Sequence, residues 1–195
     1  VVDAFSRIVR LGEGLVTSGR LADAAMDRAV EALIVCGEKL RGRNIRRARL
    51  VATEACRAAA NGREFLDRVE REAGLKLEII DRRTEARLAV SGCGPLVDRG
   101  TEGVVLFDIG GGSSEIALVD ISGRRSPRLA NHIVSWTSLP VGVVSLAERF
   151  GGANVTPQIF ADMVADVAAM IERFEGRDRI RHLMNGSTFH LLGTS

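Results

Sequence analysis

VVLFDIGGGSSEIALVD, residues 104–120, decides how this chain is read. An apolar run ends in Asp108, passes through Gly110, Gly111 and Gly112 and two serines, and resumes after Glu115 as a second apolar run. The local reading is two strands joined by a glycine turn. A hairpin needs one glycine, sometimes two, to supply positive φ, so three in a row carry an entropic cost that asks for another reason. Bare amides can converge on an anion as a small nest, and the missing Cβ atoms let a phosphate approach closely. Ser113 and Ser114 add hydroxyl donors. Asp108 and Glu115 are hard oxygen ligands of the kind that hold Mg²⁺, or another divalent cation, beside phosphates. The competing reading is a flexible hairpin with surface acids. An apolar strand, then D-x-G-G-G-S-S-E, then a second apolar strand favours the phosphate loop.

Outward from this turn, the chain divides into two patterns. Before about residue 100, strands and helices alternate. Val1–Leu11 reads as a strand. Leu21–Leu40 carries Leu21, Ala25, Ala29, Leu33 and Cys36 at helical spacing. Residues 48–53 and 77–80 read as short buried strands, and Asn61–Ala73 as an amphipathic helix closed by Gly74. Thr84 is placed to cap a helix from Glu85 to about Ser91. After residue 100, Ile133–Trp136 reads as a third strand, with a hairpin signal at Ser122-Gly123-Arg124. Short and long helices follow over Val144–Phe150 and from Pro157 to about Phe174. Closing strands are expected at His182–Met184 and His190–Leu192. These patterns predict an α/β fold with mixed sheets in two parts, residues 1–100 and 101–195, with a linker at Gly94–Gly103.

Composition narrows the function. The 27 basic and 25 acidic residues nearly balance, which excludes a polyanion-coating protein held by bulk charge, so any anion must be caught at a local site. Cys36, Cys56 and Cys93 are odd in number and form no C-x-x-C pair; they read as reduced thiols, not a disulfide framework or zinc site. No run of about 18 apolar residues suggests a membrane partner. The basic run RGRNIRRAR (41–49) reads as the solvated end of a helix, and no specific nucleic-acid partner is expected. His132, His182 and His190 lie far apart, so no histidine metal cluster is expected. Trp136 reads as a core residue, and Arg57 as a cap of its strand or a partner of Glu54.

The glycine turn resembles the second phosphate loop of the actin-like ATPase superfamily. More narrowly, the chain resembles the exopolyphosphatase/guanosine pentaphosphate phosphohydrolase (Ppx/GppA) family. VATEACRAAANGREFLDRV (51–69), LEIIDRRTEARLAVSG (77–92), SLPVGVVSLAERF (138–150) and HLLGTS (190–195) match that family in order. The resemblance implies an actin-like (ribonuclease H-like) two-lobe α/β fold, with both lobes incomplete in this chain. Residues 1–100 would be a partial first lobe and 101–195 the start of the second, the first phosphate-loop hairpin being expected before Val1. It implies Glu85 as the catalytic base and Arg57 as a phosphate clamp. Gly110, Gly111, Gly112 and Ser113 would form the phosphate loop, with Asp108 and Glu115 near a divalent cation, Mg²⁺ by expectation. The implied activity is release of orthophosphate from inorganic polyphosphate, with guanosine pentaphosphate as the alternative substrate. A kinase or a non-catalytic polyphosphate- or alarmone-binding module is a more distant alternative. A cytoplasmic, homodimeric enzyme is what the resemblance further implies.

Overall fold

The structure, a computed structural model, describes residues 3–122, 128–152, 154–186 and 189–194. They divide into two compact units between Asp81 and Arg82.

The first unit is built on two helices. A single helical turn, α1 (Leu15–Ser18), lies between Gly14 and Gly19, both at positive φ. Helix α2 (Asp23–Gly42) buries Ala25, Met26, Ala29 and Val30, the spacing of one helical stripe. It packs on Phe65, Leu66, Val69 and Ala73 of α4 (Gly62–Ala73), which ends at Gly74 in the left-handed conformation. Strands β1 (Val51–Ala52) and β2 (Glu78–Ile79) form a two-stranded parallel sheet. A short helix, α3 (Glu54–Ala58), stands where the sequence offered no periodicity to detect it. Gly62 is demanded by contact: a Cβ there would lie 2.0 Å from the Cys56 carbonyl oxygen. Asn61, the residue before α4, is buried; its Oδ1 accepts from the Leu21 amide at 2.8 Å and its Nδ2 donates to the Leu21 carbonyl at 3.0 Å. The side chain thus satisfies two buried backbone groups that no strand partner serves.

Residues 3–10, expected as part of a strand, hold no regular structure. Val9 and Leu11 lean on the core, while Asp3 pairs with Lys39 and Arg43. Side chains, not a ladder, hold this segment.

In the second unit, β3 (Gly103–Ile109), β4 (Ser114–Asp120), β5 (Ile133–Leu139) and β6 (Phe189–Thr194) form one sheet in the order β5-β4-β3-β6. The β5–β4–β3 pairs are antiparallel and β3–β6 is parallel. Both faces of β3 are covered, which is why its sequence is a continuous apolar run instead of an alternating one. On one face Val104, Leu106, Ala117 and Val119 meet Val90 and Cys93 of α5 (Arg82–Cys93), with Trp136 beside them. On the other, Val105, Ile116 and Leu118 meet Phe174 and side chains of α7 (Pro157–Glu172) and α8 (Arg177–Gly186). Helix α6 (Val143–Phe150) follows β5.

Helix α5 begins at Arg82, so Thr84 sits inside its first turn and is not its cap. Ala86, Val90 and Cys93 bury toward the sheet, so α5 belongs with residues that follow it and the compact unit starts ahead of the Gly94–Gly103 segment. Thr156 does cap α7, accepting from the Ile159 amide at 3.2 Å, with Pro157 at the first helical position. Residues 182–184, expected as a strand, continue α8, whose Ile180 packs against the sheet. The expected hairpin tip at Gly123-Arg124 lies outside the described residues.

Candidate functional site

The sheet register assembles a polar row at the end of β3. Asp108 is the direct partner of Glu115, and Glu115 of Ser138 on β5. Directly opposed residues of antiparallel strands share a face. The row therefore continues the Leu106–Ala117–Trp136 row, on the face that α5 covers.

Glu115 is only 2% exposed, and its Oε1 accepts a 2.7 Å hydrogen bond from Ser138 Oγ. Burial pushes its carboxyl above the usual carboxylate range; hydrogen bonds from Ser138 and Ser113 oppose the rise, and the charges of Glu85 and Asp108 add to it. Three carboxylates thus share one electrostatic neighbourhood, with Glu85 supplied by the first turn of α5, where the helix dipole favours an acid. Arg87, two residues on, donates to the Ala130 carbonyl at 3.0 Å and to Asn131 Oδ1 at 3.1 Å, which anchors α5 beside the sheet. Cys93, at the far end of α5, has its thiol pushed up by burial and then by the Asp108 charge.

Among the described residues, no three His, Cys, Asp or Glu side chains close into an all-protein metal cage. Mg²⁺ seldom needs one: it takes one or two carboxylates and completes its shell with phosphate oxygens and water. The half-buried Asp108 beside Glu115 fits that two-carboxylate pattern.

The glycine turn is ordered by its partners. None of Gly110, Gly111 and Gly112 has positive φ, so turn handedness does not account for them. The Gly110 amide donates to the Ser113 carbonyl at 2.9 Å and closes the turn. The Gly110 carbonyl accepts from the Val143 amide at 3.0 Å, and the Gly111 carbonyl from Val144 at 2.9 Å and Ser145 at 3.1 Å. Both carbonyls therefore face the N-terminal turn of α6. In a trans peptide the N–H points opposite to the carbonyl of the same unit. The amides of Gly111 and Gly112 consequently both point away from α6, from exposed residues, and no backbone acceptor takes either among the described residues. Two such donors on an exposed turn are an arrangement that suits an anion. Of the three amides expected from the sequence, that of Gly110 is spent inside the turn. Ser114 Oγ is likewise committed, donating to the Val141 carbonyl at 2.6 Å, and the buried Ser113 hydrogen-bonds Glu115.

Arg57 belongs to the first unit. Its Nε and a terminal nitrogen reach Glu54 Oε2 at 3.1 and 2.6 Å, and the other terminal nitrogen donates to the Ile80 carbonyl. This is the strand-end pairing weighed from the sequence, and it holds the guanidinium in a fixed orientation. Cys36, Cys56 and Cys93 are free thiols. No helix among the described residues is long and apolar enough to cross a membrane.

Sequence reasoning did not single out Ser138, Gly142 or Ser145. All three lie in SLPVGVVSLAERF, but only strand register and helix packing bring that segment onto Glu115 and the glycine turn.

A family model described as the Ppx/GppA phosphatase family matches residues 1–195. The chain is 32% identical over 173 residues to the guanosine-5′-triphosphate,3′-diphosphate pyrophosphatase of Aeromonas salmonicida, covering 88% of this chain and 33% of that protein. The crystal structure of an exopolyphosphatase-like protein superimposes with a TM-score of 0.82 at 30% identity, covering 100% of this chain and 58% of its own. An Aquifex aeolicus Ppx/GppA family member gives a TM-score of 0.56 at 32% identity over 74% of this chain and 44% of its own. The chain thus spans about a third of the curated relative and about half of these solved chains. Its fold is a mixed-sheet α/β fold shared with these relatives, as the resemblance implied.

Proposed function

The chain belongs to the Ppx/GppA phosphatase family, and from that premise we propose that the parent protein is an exopolyphosphatase, hydrolysing the terminal phosphoanhydride of inorganic polyphosphate. The observation that carries this reading is the pair of outward amides at Gly111 and Gly112 beside the Glu85–Asp108–Glu115 carboxylates.

Phosphoryl transfer asks a protein mainly for positioning and charge stabilisation. The Gly111 and Gly112 amides bind oxygens of the terminal phosphate and lose no energy to reorganisation as charge develops there. Glu85 accepts the proton of the attacking water while the bond from the terminal phosphorus to its bridging oxygen breaks, freeing orthophosphate and a polyphosphate shorter by one unit. Asp108 and Glu115 would hold Mg²⁺, which supplies charge neutralisation to the phosphate oxygens when bound. Arg57 clamps a phosphate through its planar guanidinium, a role supported by the resemblance and by the fixed orientation that Glu54 gives it. Gly110 and Ser113 shape the loop rather than contact the anion. A cytoplasmic homodimer completes the reading.

A second substrate is favoured by a specific observation. The Aeromonas salmonicida relative is named for action on guanosine-5′-triphosphate,3′-diphosphate. Both substrates end in the same anhydride, which the loop alone does not tell apart.

The test uses the full-length protein with long-chain polyphosphate and with guanosine pentaphosphate, measuring orthophosphate release with and without Mg²⁺. Glu85→Gln keeps the side-chain shape and removes the base, and turnover should fall by about 10²–10⁴-fold. Near-normal turnover of that variant would sink the role assigned to Glu85. Consumption of ATP to phosphorylate an added acceptor would favour the kinase alternative.

A further inference from the structure

The contacts that aim the two amides come from outside the glycine turn. Gly142 precedes α6, with extended φ of −140° that any residue adopts, so conformation does not require glycine there. Space does. A Cβ at Gly142 would lie 2.3 Å from the Gly110 carbonyl oxygen, 2.5 Å from the Gly111 carbonyl carbon and 2.6 Å from its oxygen. The backbone of Gly142 thus lies directly against the two peptide units that carry the Gly111 and Gly112 amides. Ser145 is 7% exposed and fastens this junction: its Oγ accepts from the Gly142 amide at 2.9 Å and contacts the Gly142 carbonyl at 3.2 Å, while its own amide donates to the Gly111 carbonyl at 3.1 Å. On the strand side, Ser114 Oγ ties the turn to the Val141 carbonyl. Val144 fills the remaining space, its Cγ2 standing 3.5 Å from where a Gly111 Cβ would be.

We infer that Gly142 and Ser145 are positioning residues for the phosphate loop, setting the direction of the Gly111 and Gly112 amides through the N-terminal turn of α6. This rests on the reading of the turn as a phosphate site. The physical reason is that an exposed turn rich in glycine has many accessible peptide orientations, and three hydrogen bonds from one helix end select a single one. The amides are then preorganised at no cost during binding. Neither residue touches the phosphate.

The test follows the backbone ¹⁵N–¹H signals of Gly111 and Gly112 in the full chain during titration with inorganic phosphate, with and without Mg²⁺, alongside thermal unfolding. Wild type should shift both signals saturably. Gly142→Ala should weaken phosphate binding at least tenfold, and Ser145→Ala should weaken it in the same direction while Ser145→Thr, which keeps the hydroxyl, restores it. Should Gly142→Ala fail to fold, the Ser145 pair carries the comparison. Folded Gly142→Ala and Ser145→Ala proteins that bind phosphate as wild type does would overturn the inference and leave the phosphate-loop reading intact. Absence of any shift at Gly111 and Gly112 in wild type would overturn both.

Discussion

Glu115→Gln is expected to stabilise the protein at neutral pH while impairing phosphate release. Glu115 is buried, directly opposite Asp108, and near Glu85. Its folded-state pKa is raised, by burial first, so the folded state holds this proton more tightly than the unfolded chain does. The sign follows. Below the unfolded pKa the carboxyl is neutral in both states and costs nothing. As pH rises through that value toward the raised folded one, the unfolded chain loses the proton first, and stability falls. Burial first, and then the charges of Glu85 and Asp108, disfavour the ionised form in the folded state. Glutamine removes the charge, keeps an oxygen for Ser138 Oγ, and offers Asp108 an N–H donor. Relieving the desolvation of a buried carboxyl is worth about 1–3 kcal/mol, or roughly 3–9 °C in Tm for a chain of this length. Calorimetry of both proteins at pH 7.5 and pH 4.0 measures it, and the difference should nearly vanish at the lower pH. A variant less stable than wild type at pH 7.5, or an offset unchanged between the two pH values, would refute the reasoning. Retained activity alongside the gain would show that the charge has no functional use.

Two further outcomes rest on buried groups in the first unit. Asn61→Ala strips both hydrogen bonds from the Leu21 backbone, leaving a buried N–H and C=O unsatisfied, and should cost about 2–4 kcal/mol, read as a lowered urea midpoint. Asn61→Asp should recover only the bond from the Leu21 amide. The Cys56 thiol is pushed up to about 11 by burial, whereas Cys36 is partly exposed, so a disulfide reagent at pH 8 should label Cys36 first and Cys56 only on unfolding. Equal labelling rates in the native protein would contradict the burial.

Much of the fold was legible because its elements carry strong local signals. Helix α4 has apolar residues at one face and Gly74 at its end, and α7 opens with Thr156-Pro157; each signal acts within one turn and survives any tertiary context. Strands β3 and β4 announced themselves as apolar runs around a glycine turn. The errors fell where local signal was weak. Val1–Leu11 has β-branched residues, but the described part of that segment pairs through side chains. Residues 182–184 are too few to separate strand from helix by period, and α8 continues through them.

By itself, the sequence determined that an apolar-flanked glycine turn with acids on both sides exists, and the residue types alone suit it to phosphate and a cation. It could not say which amides are free, because a peptide's direction is set by whatever its carbonyl bonds to. That partner, the first turn of α6, lies some thirty residues away in sequence. Nor could it say that Asp108, Glu115 and Ser138 form a row, because side chains share a face only once register is chosen. Tertiary structure decided both: it commits the Gly110 amide to the turn and leaves those of Gly111 and Gly112 with no backbone acceptor among the described residues.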